Sequence, residues 1–180
     1  NAGNSITTGA SNVAIGVNAL HTLAASTYPN IAIGENALHT NNGGTGQNTA
    51  VGYRSGEAVT TAEGNTFYGS YAGLKVTTGA SNVLVGSNAG GEILGGANNV
   101  CVGNSAGVTT TTGSDNVSIG VSADTGHSGS VNRVTLGVSA VGIGDKRLLW
   151  GNGGTTTSIA MGSDTINTAS DVRMKEDIQD

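Results

Sequence analysis

Carboxylates are the side chains in this 180-residue sequence that most directly offer chemistry. Cleavage of a glycosidic bond needs two carboxyl groups that converge on one sugar. The carboxylates within residues 1–140 are Glu35, Glu57, Glu63, Glu92, Asp115 and Asp124, and they occupy different positions of the repeat described below. The sequence does not show whether any two converge, and it contains no phosphate loop, nucleophile elbow or metal signature. These residues therefore predict no cofactor, no metal and no enzyme that acts on an external substrate.

The histidine and cysteine residues give little further indication of a metal site or a catalytic group. His21 and His39 each lie five residues after a recurring glycine, so they are expected to stack, but no carboxylate is expected in register with them. We interpret them as turn residues rather than metal ligands. Cys101 is the only cysteine, which excludes an intrachain disulfide. It is expected to be a small packed residue, because Ala14 and Ala32 occupy the same repeat position.

Aromatic residues are concentrated in one part of the chain. Tyr53, Phe67, Tyr68 and Tyr71 are four of the five Phe and Tyr residues. An exposed group of this kind could stack on sugar rings. Tyr53 and Tyr71 are therefore candidate glycan contacts, whereas Tyr68 is expected to point into the fold.

The sequence elements that position these residues form a repeat. A glycine recurs at steps of 18, 18, 17, 17, 17, 17 and 17 residues, at Gly16, Gly34, Gly52, Gly69, Gly86, Gly103, Gly120 and Gly137. Four residues before it stands an asparagine in seven copies, Asn12, Asn30, Asn48, Asn65, Asn82, Asn99 and Asn116, and Arg133 in the eighth. A constant period of this length indicates a stacked repeat fold.

Between asparagine and glycine lie three residues that read as a short strand. The outer two are mostly β-branched, as in Val13 and Ile15, which favours a pleated sheet. Such a unit cannot bury its own apolar face but can bury it against neighbours. The sequence predicts an all-β fold, a β-solenoid or β-roll of about eight coils of 17–18 residues, with coils roughly 4.8 Å apart. The asparagines are expected to form a ladder of side-chain amides, and the glycine to permit a backbone corner.

The middle strand position is small or apolar and never charged, from Ala14 to Thr135. We therefore expect a strand buried on both faces. The outer positions should fill the interior of the coil, and the middle position should contact a partner chain.

The unit Asn-Val-Ala-Ile-Gly, followed by Asn-Ala, resembles the head repeat of trimeric autotransporter adhesins, whose Ser-Val-Ala-Ile-Gly units build a β-roll in each of three packed chains. It also resembles the repeats of bacteriophage tail fibres, written there as runs like NTAVGY, which stands here at residues 48–53. The resemblance covers residues 1–140 and implies a parallel homotrimer.

The segment SDVRMKEDI, residues 170–178, separates these two groups. It resembles the Ser-Asp-x-Arg-x-Lys-x-x-Ile start of the endosialidase-type intramolecular chaperone of phage tailspikes and fibres, which drives trimer assembly and then cuts itself off. The resemblance implies cleavage between Ser170 and Asp171, with Ser170 and Lys175 as the catalytic pair. Lysine is a reasonable base for a serine hydroxyl. The alternative is a helix start capped by Ser170 or Asp171.

These observations divide the chain into a repeat solenoid (1–140), a transition or stalk segment (141–169) and the start of the chaperone junction (170–180). They predict a structural, host-attachment part of a phage tail fibre or tailspike in the virion tail, binding a host cell-surface receptor that is expected to be a glycan. The net charge of −5 argues against nucleic acid, and no apolar run is long enough to insert into a membrane. The alternatives are a head fragment of a bacterial trimeric adhesin at the cell surface and a glycan-cleaving tailspike domain.

Overall fold

The computed structural model describes residues 1–3, 11–22, 28–40, 46–152 and 155–160. Regular secondary structure in these ranges is entirely β, and the strands form one sheet whose order follows the chain. The strands are β1 (Val13–Ile15), β2 (Ile31–Ile33), β3 (Thr49–Val51), β4 (Thr66–Tyr68), β5 (Val83–Val85), β6 (Val100–Val102), β7 (Val117–Ile119), β8 (Arg133–Leu136), β9 (Arg147–Asn152) and β10 (Thr155–Ala160).

Strands β1 to β9 are parallel, and each pairs with the next in an unshifted register. Ala32 pairs with Ala50, for example, and Phe67 with Leu84, so one repeat advances the chain by one coil. The predicted β-solenoid of about eight coils is thus confirmed. Equivalent residues of successive coils stack on one another. A shift of register by one residue would turn the inward side chains outward.

The recurring glycine makes the corner that follows each strand. Gly86 has φ +133°, and a Cβ added there would lie 2.5 Å from the carbonyl oxygen of Gly103 in the next coil. An L-residue is disfavoured both by this backbone conformation and by the close approach of the next coil. The predicted role of the glycine as a corner residue is confirmed.

The core lies inside the coils and is filled from two parts of each repeat. The middle strand residue, such as Phe67 or Leu84, packs with residues of the following turn, such as Leu38 and Ile93, and all four are fully buried. An alanine three residues after the glycine is buried in every coil that carries it.

The prediction of which strand face points inward was wrong. The middle position is buried from Ala32 to Thr135, whereas the outer positions are exposed or half-buried, with Ile15 at 57%. The turn after the glycine closes the coil on the side of the middle residue. A three-residue strand that is apolar on both faces gives no indication of that side.

Strand β9 extends the sheet beyond the repeats. The middle strand residues, here called the inward column, are Ala14, Ala32, Ala50, Phe67, Leu84, Cys101, Ser118 and Thr135. Leu149 pairs with Thr135 and is fully buried, so it covers the end of this column. Strand β10 then pairs antiparallel with β9.

Candidate functional site: an apolar sheet face and a tyrosine cluster

The outer face of β1 to β8 carries two columns of side chains, here called the outward columns. None of the sixteen residues is buried: Val13, Ile31, Thr49, Thr66, Val83, Val100, Val117 and Val134 in the first column, and Ile15, Ile33, Val51, Tyr68, Val85, Val102, Ile119 and Leu136 in the second. A contiguous apolar surface that a single chain leaves unburied is a candidate contact site. The repeat of Val and Ile along the sheet makes it regular from one coil to the next.

The seven asparagines of the repeat form one column beside the strands. Asn82 shows the pattern: its backbone N–H and its Nδ2 both donate to Oδ1 of Asn65, at 2.8 Å and 3.1 Å, and Nδ2 also donates to the carbonyl of Gly96 at 2.9 Å. Oδ1 of Asn82 in turn accepts from the backbone N–H of Asn99 at 2.9 Å. Each amide therefore joins three coils. These residues hold the fold together and are buried from Asn30 onward.

Arg133 ends this column where an eighth asparagine would stand. Its backbone N–H donates to Oδ1 of Asn116 at 3.0 Å, and its guanidinium donates to the carbonyl of Thr125. The same guanidinium pairs with Asp145 at 2.9 Å. The pKa of Asp145 is lowered, first by a hydrogen bond from the backbone of Val131 and then by Arg133. The arginine thus satisfies buried carbonyls at the end of the amide ladder.

A second surface feature is formed by Tyr53, Arg54, Glu57 and Tyr71, here called the tyrosine cluster. The two tyrosine rings meet edge to face, with centroids 5.2 Å apart and planes at 90°. The guanidinium of Arg54 lies 5.8 Å from the ring centroid of Tyr71, and its Nε donates to Glu57 Oε2 at 2.5 Å. Glu57 raises the pKa of Arg54 through this hydrogen bond and its charge. Sequence reasoning identified the two tyrosines but missed the ion pair beside them.

Two residues of the cluster have an uncommon backbone conformation. Arg54 has φ +54° and Tyr71 φ +61°, in the left-handed region. The other six coils place asparagine or serine at this position: Asn18, Asn36, Asn88, Ser105, Ser122 and Ser139. For residues other than glycine this conformation costs about 1–2 kcal/mol, and asparagine tolerates it best.

Tyr68 is not part of this cluster, and its predicted inward position was wrong. It belongs to the outward columns and is 59% exposed, whereas its neighbour Phe67 is fully buried. Alternation along the strand sends the two rings to opposite faces.

The histidines stack as expected. The rings of His21 and His39 have centroids 4.9 Å apart and planes at 9°, and each Nδ1 lies 3.2–3.3 Å from the hydroxyl of the threonine that follows. The expectation that no carboxylate shares their register was wrong, because Glu57 occupies the same repeat position in the next coil. Its carboxylate pairs with Arg54 instead. Among the described residues, no group of three or more His, Cys, Asp or Glu side chains is placed to hold a metal ion.

The carboxylates of residues 1–140 have separate partners or face solvent. Glu92 pairs with Lys75 at 2.6 Å, Asp115 accepts from Asn98 at 3.0 Å, and Asp124 accepts from the hydroxyl of Thr109 at 2.5 Å. Glu35 and Glu63 are exposed.

Toward β8 the interior of the coils becomes polar. Cys101, Ser118 and Thr135 follow one another in the inward column. The hydroxyl oxygens of Ser118 and Thr135 are buried without a hydrogen-bond partner. Burial, and then the charge of Asp124, raise the pKa of the Cys101 thiol to about 12. This thiol is therefore a packed group rather than a nucleophile.

Ser170, Asp171 and Lys175, predicted as the autocleavage residues, lie outside the described residues. Comparison of the chain with protein-family models, with curated proteins and with solved structures gives no match. Among the described residues, no helix has the length and apolar character needed to cross a membrane.

Proposed function

We propose that this chain is a structural and host-attachment part of a bacteriophage tail fibre or tailspike, and that it works as a parallel homotrimer. The observation that carries the proposal is the pair of outward columns. They leave a regular, mostly apolar sheet face exposed or half-buried along eight coils of a single chain. A face of this kind favours burial against identical faces.

The parallel, unshifted stack supports a parallel assembly. Successive coils present the same residue types in the same place, so identical chains side by side match Val against Val and Ile against Ile at each level. The number three comes from the resemblance of the repeat to trimeric adhesins and tail fibres. A stack joined along its length by backbone hydrogen bonds and amide ladders suits a fibre that must transmit force.

Sedimentation velocity of a double variant, Val85→Asp with Val102→Asp, tests the assembly. Both side chains are in the outward columns, so the variant should keep its β circular dichroism but sediment as a monomer, whereas the parent chain sediments as a trimer. Charge buried without a partner at an interface is strongly unfavourable. Leu94→Asp is the matched control, since Leu94 is 44% exposed but lies outside the strands.

A parent chain that stays monomeric at micromolar concentration would contradict the proposal. So would a double variant that still forms the parent's oligomer.

The predicted junction provides an independent test of the phage assignment. A longer version of the chain that carries its native sequence past Asp180 should be cut between Ser170 and Asp171, and Ser170→Ala or Lys175→Ala should abolish the cut. Intact-mass spectrometry measures the product. Ser163→Ala is the control, because Ser163 also precedes an aspartate but lacks the Arg and Lys that follow Ser170. An uncut parent chain would favour the adhesin-head alternative instead.

A further inference from the structure

The tyrosine cluster is unlike the same place in every other coil. The two positions after the corner glycine carry Tyr53 and Arg54 in the third coil, and Ser70 and Tyr71 in the fourth. Elsewhere the first of these positions carries valine, glutamate, serine or asparagine, and the second carries asparagine or serine. The fold does not require an aromatic or a guanidinium here, since six coils turn the same corner without one.

Folding disfavours two of these residues. Arg54 and Tyr71 both have positive φ at a position where asparagine is better accommodated. The conformation itself belongs to the corner, since all eight coils adopt it at this position, so the choice of residue and not the backbone strain distinguishes the cluster. Exposure agrees with that reading, because Tyr53 is 41% exposed and the Arg54 side chain 39%.

The groups of the cluster are those that recognise a sugar. A tyrosine ring offers an apolar face for the C–H side of a pyranose, and its hydroxyl offers a hydrogen bond. Arg54 supplies several N–H donors in one plane, and Glu57 supplies acceptors, as vicinal hydroxyl groups require. The ion pair between them cancels its own charge, and the exposed Glu35 lies in the preceding coil beside Tyr53. This local charge repels a carboxylate on a ligand.

We infer that the tyrosine cluster is a binding site for a neutral, hexose-containing glycan. The inference rests on the proposed attachment function and names the surface and ligand class through which attachment occurs. Three copies in a trimer would multiply a weak individual affinity by avidity. Acidic sugars such as sialic or uronic acids are discriminated against by Glu35, whose charge no described ion pair cancels.

A glycan array tests the site with the whole chain. The array carries linear glucose, galactose and mannose oligomers together with sialylated and uronate-containing oligosaccharides. The parent chain should bind neutral spots. A triple variant, Tyr53→Ser, Arg54→Asn and Tyr71→Asn, should lose about tenfold or more of that signal. Each replacement is the residue that a neighbouring coil already uses at that position, so the variant keeps the fold.

Asn104→Ser is the matched control, because Asn104 occupies the repeat position of Tyr53 two coils beyond the coil of Tyr71. This change should leave binding intact. The inference is overturned if the parent chain binds no sugar, if it binds acidic sugars alone, or if the triple variant binds as the parent does. It is also overturned if the triple variant loses its oligomeric state, since the cluster would then be a contact between chains. Sedimentation keeps the two proposals separate: a trimer that binds no sugar leaves the assembly proposal standing.

Discussion

Phe67 and Tyr68 are neighbours in β4, yet Phe67 is fully buried inside the coil and Tyr68 is 59% exposed on the outer face. The same division runs through all eight coils. The inward column varies in size and polarity, from Ala32 through Phe67 to Ser118. The outward columns keep to Val and Ile, with few exceptions.

The difference shows which constraint acts on each side. The interior tolerates variation, because a large residue in one coil is compensated by small ones around it. Phe67, for example, lies so close to Gly56 and Gly73 that a Cβ on either would approach its ring to within 2.6 Å. The outer face has no such compensation within the chain and is nevertheless the more uniform. β-branched residues suit an exposed pleated strand, and the proposed side-by-side assembly adds a second reason for the same residue types to return at every level.

The largest expected effect is on the inner side. Phe67→Ala should lower the free energy of unfolding by about 3–5 kcal/mol, because it leaves a cavity in a packed coil. Tyr68→Ala removes a ring of similar size from the outer face and should cost less than about 1 kcal/mol in the single chain. Urea unfolding, compared at one low protein concentration, measures both. Equal losses would contradict the assignment of the two faces.

The amide ladder lies beside the strands, and its loss should show the next largest effect. Asn82→Ala leaves the carbonyl of Gly96 and the backbone N–H of Asn99 without their partner, at a cost of about 2–3 kcal/mol. Asn104→Ala is the control, since Asn104 is exposed and lies outside the ladder. In thermal unfolding followed by circular dichroism, Asn82→Ala should have a clearly lower melting temperature than the control. Similar melting temperatures would show that the ladder contributes little.

At the polar end of the inward column, a substitution is expected to stabilise the fold instead of destabilising it. Thr135→Val keeps the shape of the side chain and removes a buried hydroxyl that has no partner, so it should stabilise the fold by about 1 kcal/mol. Thr49→Val in the outward columns should change the single chain little, because Thr49 is only half-buried. The urea midpoints of the two variants, compared with that of the parent chain, measure both effects. Destabilisation by Thr135→Val would indicate that its hydroxyl is hydrogen-bonded.

Cys101 should show the smallest effect, and only at high pH. Its pKa is about 12 in the fold, raised by burial and then by Asp124, against 9.0 for an ordinary thiol. Its contribution to stability is therefore constant below about pH 9 and is lost as the pH rises toward 12. At pH 9.5 the loss should be about 0.8 kcal/mol. Cys101→Ala is the control, and its unfolding free energy between pH 8 and pH 10.5 should fall less than that of the parent chain.

The sequence by itself determined the period, the stacking and the corners. Asparagine and glycine return at fixed spacing along the chain, as Asn82 and Gly86 illustrate for one coil. An amide ladder or a positive-φ corner needs only that one residue type return once per coil. The tyrosines of the candidate site were also recognisable, as aromatic exceptions to the repeat.

Only the tertiary structure decided which strand face turns inward. Val83 and Leu84 are both apolar, and alternation assigns them to opposite sides without saying which side the coil closes on. The turn after the glycine makes that choice by its backbone path. The pairing of Arg54 with Glu57 likewise depends on the folded turn, because the two residues are three positions apart in one coil. The contact of Arg54 with Tyr71 depends on stacking, because it joins two coils.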